Sequence, residues 1–165
     1  MNRDDCQEFL DELPPGLIVE RDSHRFYPNG NIGAQLIGYT DPDSRGLTGL
    51  EQKFDHYLTG TAGWVVRQLS GKGKALPNNR FPTKTPLDGS NIQLTIDLDY
   101  QVVLHEELRR RIDETSAISA MGILMNPQTG AILAMATIPD FDANYPAKFP
   151  METHKNRVLT DQFEP

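Results

Sequence analysis

Cysteine is almost absent: Cys6 is the only one in 165 residues, so no internal disulfide can staple the fold and cysteine usage says nothing about redox compartment. It is assigned as a small apolar residue. Long apolar runs are also missing. The longest, Ala131 to Ala136, is soon interrupted by Thr137 and Pro139, well short of the ~20 residues that span a bilayer. The start, Met1-Asn2-Arg3-Asp4-Asp5, has no apolar core of the signal-peptide kind, so taken by itself the chain reads as soluble and cytoplasmic. The longest run of one charge is Arg109-Arg110-Arg111, assigned to the solvated face and last turns of a helix. With 23 acidic against 16 basic residues and a net charge of −7, a nucleic-acid or anionic-membrane surface is excluded and solubility is favoured.

Metal and cofactor signals are lacking too. His24, His56, His105 and His154 are far apart, none pairs with another at four-residue spacing, and only Cys6 could join them. Asp41-Pro42-Asp43-Ser44-Arg45-Gly46 opens like a calcium loop, but Arg45 replaces the third oxygen ligand and Gln52 stands where the twelfth-position Glu belongs. It is a turn. Gly71 and Gly73 lack the following glycine and helix start that a phosphate-cradling loop needs. Met121, Met125 and Met135 are assigned to strand-core packing. No metal or cofactor is expected.

What is present is an alternation of short, glycine- and proline-punctuated segments with one longer helix. Residues 4–13 have helical spacing and stop at Pro14-Pro15; Gly16 to Arg21 reads as a short strand. A short apolar segment ends at Leu36-Ile37, with Gly38 as a helix C-cap. From Gly46 a second helix places Leu50, Phe54, Tyr57 and Leu58 on one face and closes at Gly60 and Gly63. Trp64-Val65-Val66 begins a strand that Ser70-Gly71-Lys72-Gly73 returns as a hairpin. Pro77 to Pro86 is an extended connection, and a domain boundary fits near Asp88-Gly89. Asn91 to Ile96 alternates as a strand. Asp97 then caps a helix running to about Thr115, with Tyr100, Val103, Leu104, Leu108 and Ile112 as its buried stripe. Met121–Met125 and Ala131–Thr137 flank the turn Asn126-Pro127-Gln128-Thr129-Gly130, where Pro127 pre-sets φ and Gly130 supplies a positive one. The fold class is α+β.

Four segments carry a resemblance. They are Leu94-Thr95-Ile96-Asp97 with Gln101, Asn126 through Ala136, Pro139-Asp140-Phe141-Asp142-Ala143-Asn144, and the closing Asn156-Arg157-Val158-Leu159-Thr160-Asp161-Gln162-Phe163-Glu164-Pro165. In that order they resemble class B penicillin-binding proteins, in which Asn-Arg-x-x-x-Asp-x-x-Glu-Pro runs into Gly-Ser and the catalytic Ser-x-x-Lys. The resemblance covers nearly the whole chain. It implies two domains: residues 1–88 as a pedestal, or dimerisation, domain, and 89–165 as the start of a transpeptidase domain, with the first helix and hairpin of its sheet. The family's N-terminal membrane anchor and first Arg-Gly pedestal motif find no match, and truncation at both ends is the expectation.

The chemistry of that family needs Ser-x-x-Lys, a Ser-x-Asn-type element and Lys-Thr-Gly. None occurs here: every Lys has a residue other than Ser three positions before it, and the nearest approach to the third motif is Lys84-Thr85-Pro86. No catalytic residue is assigned, because a nucleophile without its base is a weak one. The assigned residues are structural. Arg25 with Gly49 and Glu51 belongs to the pedestal; on spacing alone Arg25 and Glu51 could be two unrelated exposed charges, whereas the resemblance favours a partly buried pair. Asp97 is a cap, and Asn126 and Gly130 shape the turn. Asn156, Arg157, Asp161 and Glu164 support the approach to the serine, with Thr160 and Glu164 starting a helical turn.

For the intact protein the resemblance implies a D,D-transpeptidase that cross-links peptidoglycan stem peptides by acyl transfer in division or elongation. It would be anchored in the bacterial inner membrane and face the periplasm, with β-lactams as substrate mimics. Its partners would be peptidoglycan-synthesis proteins such as a glycosyltransferase; pairing of pedestals stays open, and nucleic acid is excluded. Two other readings compete. One is a stand-alone interaction module without catalysis. The other is a hydrolase working through carboxylates such as Asp97 and Glu164, which sit in capping and turn contexts. A sheet reduced to two strands would leave apolar edges that make the isolated chain associate.

Overall fold

The structure is a computed structural model that describes residues 24–66, 68, 70–71 and 82–162. The helix expected at 4–13, the strand at 16–21, Cys6 and most of the expected hairpin return lie outside the described residues. The first half consists of short elements: α1 (Ala34–Ile37), α2 (Gly49–Lys53) and α3 (Asp55–Leu58). Gly38 ends α1 with φ 81°, its N–H bonding Ala34 O at 2.7 Å. The single helix expected from Gly46 to Leu58 is corrected to two. Phe54, at φ −111° and ψ 16°, leaves the helical region, and the Asp55 carboxylate turns back to accept from Gly46 N at 2.8 Å.

Strands β1 (Trp64–Val65) and β2 (Thr83–Lys84) pair antiparallel, Trp64 opposite Lys84. β2 lies inside the stretch read as a connection. All four residues are exposed, so no alternation of burial marks them. The pairing continues through a Thr61–Leu87 bridge, and Ser90 N donates to Tyr57 O at 2.7 Å. The chain from 83 to 90 therefore runs along 57–65.

The second half is built on α4 (Leu98–Thr115) and the hairpin of β3 (Ala120–Met125) and β4 (Ile132–Ile138). α4 forms because eighteen residues contain neither Gly nor Pro and Asp97 Oδ1 accepts from Asp99 N at 3.0 Å and Tyr100 N at 3.4 Å. Ser116, left-handed at φ 55°, ends it. At the hairpin tip the Asn126 side chain accepts from Gln128 N at 2.9 Å and Gly130 takes φ 74°. The helix lies directly on β3: a side chain at Gly122 would meet Leu104 Cδ1 at 2.9 Å.

Three expectations fail in this half. Residues 91–96 form no strand; they pass the start of β4 with Thr95 Oγ1 donating to Ile132 O at 2.6 Å and Asp97 N to Leu133 O at 2.9 Å. The buried stripe of α4 is Gln101 and His105, with Leu104, Leu108 and Ile112 half-buried, while Tyr100 and Val103 are exposed. Met135 is buried as assigned, but Met121 and Met125 are on the outer face. The polar residues are inside for a reason. Gln101 Nε2 donates to Met135 O and Gln101 Oε1 accepts from Met135 N, both at 2.8 Å, so one side chain replaces a neighbouring strand. Gln101→Ala strands both backbone groups and is expected to cost about 2 kcal/mol in urea unfolding; an unchanged midpoint would mean that solvent reaches this edge of β4.

Beyond β4 come 3-10 turns at Pro146–Lys148 and Met151–His154, then α5 (Arg157–Thr160). The aromatic core joins the two halves: Tyr27, Ala34, Tyr39, Phe141 and Ala143 are buried together. Fully buried Phe141 meets Tyr39 edge-on at 5.7 Å and stacks on His154 at 4.2 Å.

Candidate functional site

A buried carboxylate with three side-chain partners sits where the halves meet. Asp140 follows β4, and its Oδ2 accepts from Asn31 Nδ2 at 2.7 Å and lies 2.6 Å from His105 Nε2. Arg109 Nη2 reaches its Oδ1 at 3.0 Å. Arg109 is thus not merely a solvated charge, as its triplet implied. The Asp140 side chain is 11% exposed and that of His105 5%. Burial by itself would raise the Asp140 pKa. The hydrogen bonds from His105 and Asn31, with the Arg109 charge, outweigh it and hold the carboxyl below its ordinary value. All its partners donate to it, so the group holds position rather than cycling protons.

Side-chain amides stitch the rest of the junction. Asn144 Oδ1 accepts from Tyr27 N at 2.9 Å and Asn144 Nδ2 donates to Tyr27 O at 2.8 Å. Gln35 Nε2 lies 3.1–3.2 Å from the carbonyls of Thr137, Pro139 and Thr153. Tyr39 Oη and His154 Nδ1 are 3.1 Å apart. Residues 27–39 are therefore bonded at several points to 137–154. The sequence pattern points to Gln101 and the Pro139–Asn144 segment but assigns no role to Asp140, Asn144, His105, Asn31 or Gln35. The only available signal was the density of Asp and Asn in that short segment.

The assigned residues fall into separate groups. Arg25 Nε bonds Glu51 Oε1 at 2.8 Å, and Arg25 Nη2 bonds Glu51 Oε2 at 3.3 Å, with Glu51 buried. The Glu51 hydrogen bond raises the Arg25 pKa against the effect of burial. Gly49, at φ 60°, packs α2 on α1 beside them. This pair lines a cleft of about 430 Å³ with Ile37, Leu50, Leu58 and Leu94. A second group is at the end. Asn156 Nδ2 contacts Met135 Sδ at 3.5 Å, Arg157 Nη1 bonds Asp161 Oδ2 at 2.9 Å, and Lys155 also pairs with Asp161. Bonds from Lys155 and then Arg157 hold the Asp161 pKa down. Thr160 closes α5 rather than opening a turn, and Glu164 lies outside the described residues. Asp97 and the Asn126–Gly130 turn stand apart from both groups. Among the described residues no three His, Cys, Asp or Glu side chains converge on a metal position. Ion pairs and amide bonds of this kind can brace a fold; they do not assemble a nucleophile with a base.

Comparison with known proteins gives this junction a context. The family described as Penicillin-binding Protein dimerisation domain matches residues 4–94, and that described as Penicillin binding protein transpeptidase domain matches 120–165. The peptidoglycan D,D-transpeptidase FtsI of Escherichia coli K12 is 33% identical over 162 residues, 98% of this chain and 27% of that protein. The probable peptidoglycan D,D-transpeptidase PbpC of Pseudomonas aeruginosa is 37% identical over 150 residues, 91% of this chain and 26% of that one. Among solved structures, penicillin binding protein 3 of Mycobacterium tuberculosis superposes with TM-score 0.66 at 28% identity, over 85% of this chain and 28% of that one. A peptidoglycan synthetase from Bifidobacterium adolescentis gives 0.73 at 28% identity, over 88% of this chain and 26% of that one. The chain spans about a quarter of the length of the curated relatives it matches.

Proposed function

The chain belongs to the class B penicillin-binding proteins, and from that membership we propose that these residues are the scaffold of a peptidoglycan D,D-transpeptidase: they carry and aim a serine acyl-transfer site without supplying its nucleophile. The observation that carries this reading is the Asp140 junction. One carboxylate takes donors from Asn31, in the segment matching the dimerisation family, and from His105 and Arg109 on α4, and it belongs itself to the segment matching the transpeptidase family. A scaffold needs such a brace between parts; a stand-alone catalyst needs a nucleophile, and Ser-x-x-Lys occurs nowhere in the 165 residues.

In this reading the Lys155, Arg157 and Asp161 bonds fix the direction in which the chain leaves α5, and Asn156 fastens that end to β4 through Met135. The intact protein would cross-link stem peptides in division or elongation, work beside a glycosyltransferase and face the periplasm from an inner-membrane anchor. No helix among the described residues is long and apolar enough to cross a membrane. The test is direct. Fluorescent penicillin incubated with the purified chain is expected to leave no covalent label on a denaturing gel, beside a strongly labelled D,D-transpeptidase control. A labelled band that excess unlabelled penicillin removes would overturn the scaffold reading, since it would require a complete acylation site within these residues.

A further inference from the structure

Asn29 is the only asparagine in the chain that a glycine follows. Glycine leaves the next backbone nitrogen unshielded by a side chain, and that nitrogen can then attack the side-chain amide carbon of the asparagine. In the fold Asn29 is exposed on a turn that is fastened on both sides. Before it, Tyr27 N and Tyr27 O are held by the Asn144 amide at 2.9 and 2.8 Å. After it, Gly30 O accepts from Ala143 N at 3.4 Å, and Asn31 Nδ2 donates to Asp140 Oδ2 at 2.7 Å. Within the turn, Gly30 N donates to Tyr27 O at 3.1 Å and Ile32 N to Asn29 O at 3.0 Å. The attacking nitrogen is therefore occupied while the turn is closed, and the residues that keep it closed are those of the Asp140 junction.

We propose that Asn29-Gly30 is a site of spontaneous deamidation gated by this junction: the closed turn withholds the Gly30 nitrogen, local opening releases it, and the product no longer fits between the Asn144 and Asp140 fastenings. In the open turn Gly30 N loses its proton and bonds Asn29 Cγ, while the Cγ–Nδ2 bond breaks and Nδ2 leaves as ammonia. Water then opens the resulting five-membered imide. Attack at Cγ restores the normal linkage with an aspartate side chain, and attack at the main-chain carbonyl gives isoaspartate. The sum is one water in and one ammonia out, with no change of oxidation state. Isoaspartate runs the main chain through Cβ, one atom longer between positions 29 and 30. Ala143 and Asn144, adjacent in the chain, hold Gly30 O and Tyr27, so the added atom forces one of those bonds apart. The new carboxylate also joins a turn that already packs on an acid, since a side-chain carbon on Gly30 would lie 3.7 Å from Asp142 Oδ2.

The experiment incubates the chain in mildly alkaline buffer, folded and unfolded in guanidinium, and follows the conversion of amide to acid at each asparagine by peptide mass spectrometry. The expected result is conversion at Asn29 ahead of every other asparagine, at least about tenfold slower in the folded chain than in the unfolded one. Asn144→Ala loosens the turn from a position remote in sequence, and should speed the folded reaction at least about fivefold while leaving the unfolded rate unchanged. Equal rates in the folded and unfolded chain would overturn the gating, and that comparison needs no variant, so it stands even where Asn144→Ala does not fold. An Asn29 that survives unfolding as long as the other asparagines would overturn the site itself. The consequence is read on the isoaspartate fraction, separated by ion exchange and compared with Asn29→Asp, which carries the charge on a main chain of normal length. The fraction is expected to unfold at lower urea than Asn29→Asp; matching midpoints would overturn the claim that the lengthened turn cannot reclose.

Discussion

Replacing Asp140 by alanine is expected to remove about 3–5 kcal/mol of folding stability, the range for deleting one partner of a buried, hydrogen-bonded charge cluster. The change does more than lose three bonds. It leaves His105 and the Asn31 amide in a buried site with no acceptor, and it frees Arg109 from the one contact that ties the last turns of α4 to the junction. Asp140→Asn keeps an acceptor oxygen and should cost less, which separates loss of charge from loss of the hydrogen bonds. Acid should reproduce the effect. The folded-state pKa of Asp140 lies below its ordinary value, so its contribution is fully present above the unfolded carboxylate pKa of about 3.9. It fades as the pH falls below that value, through the depressed one. Urea unfolding of the chain and of Asp140→Asn between pH 7 and pH 3 checks both parts. The variant should start less stable and lose less on acidification; parallel pH profiles would mean that Asp140 is not the acid-sensitive member of the junction.

How visible this was in the sequence depended on the range of the interaction. Asp97 followed by eighteen residues free of Gly and Pro announces α4, and the Asn126–Gly130 turn between two apolar runs announces the hairpin, because caps and turns are written in neighbouring residues. The stripe of α4 differs from its apolar pattern, because that pattern puts Tyr100 and Val103 inside. Tyr100 and Val103 face outward, while Gln101 and His105 face inward because a β4 backbone edge and the Asp140 carboxylate have to be satisfied there. No periodicity carries that demand. Bonds such as Asn144 to Tyr27, 117 residues apart, are equally silent in a local pattern. β2 escaped notice because a two-residue strand exposed on both faces has no alternation to show, and the break at Phe54 because its apolar neighbours keep helical spacing across it.

Gly38→Ala and Gly49→Ala are expected to cost about 3 kcal/mol or more each, and the reason lies in where α1 crosses α2. The two glycines face each other. A side-chain carbon on Gly38 would sit 2.0 Å from Thr48 O, and one on Gly49 would sit 2.7 Å from both Gly38 N and Leu36 O. Those neighbours are backbone atoms of the two short helices and their caps, and cannot swing aside as a flexible side chain could. Both glycines also have positive φ, 81° and 60°, and Gly38 pairs it with ψ −161°, conformations that alone cost a residue with a Cβ on the order of 1–3 kcal/mol. Gly130 separates the two contributions. Its φ is 74°, yet a side-chain carbon there meets nothing within 4 Å, so Gly130→Ala should show the conformational cost without the collision. If thermal unfolding places Gly38→Ala well below Gly130→Ala, the close approach of the helices is holding Glu51 against Arg25; equal losses at the two positions would show that the crossing tolerates a methyl group, and that the pair is held by its own hydrogen bonds alone.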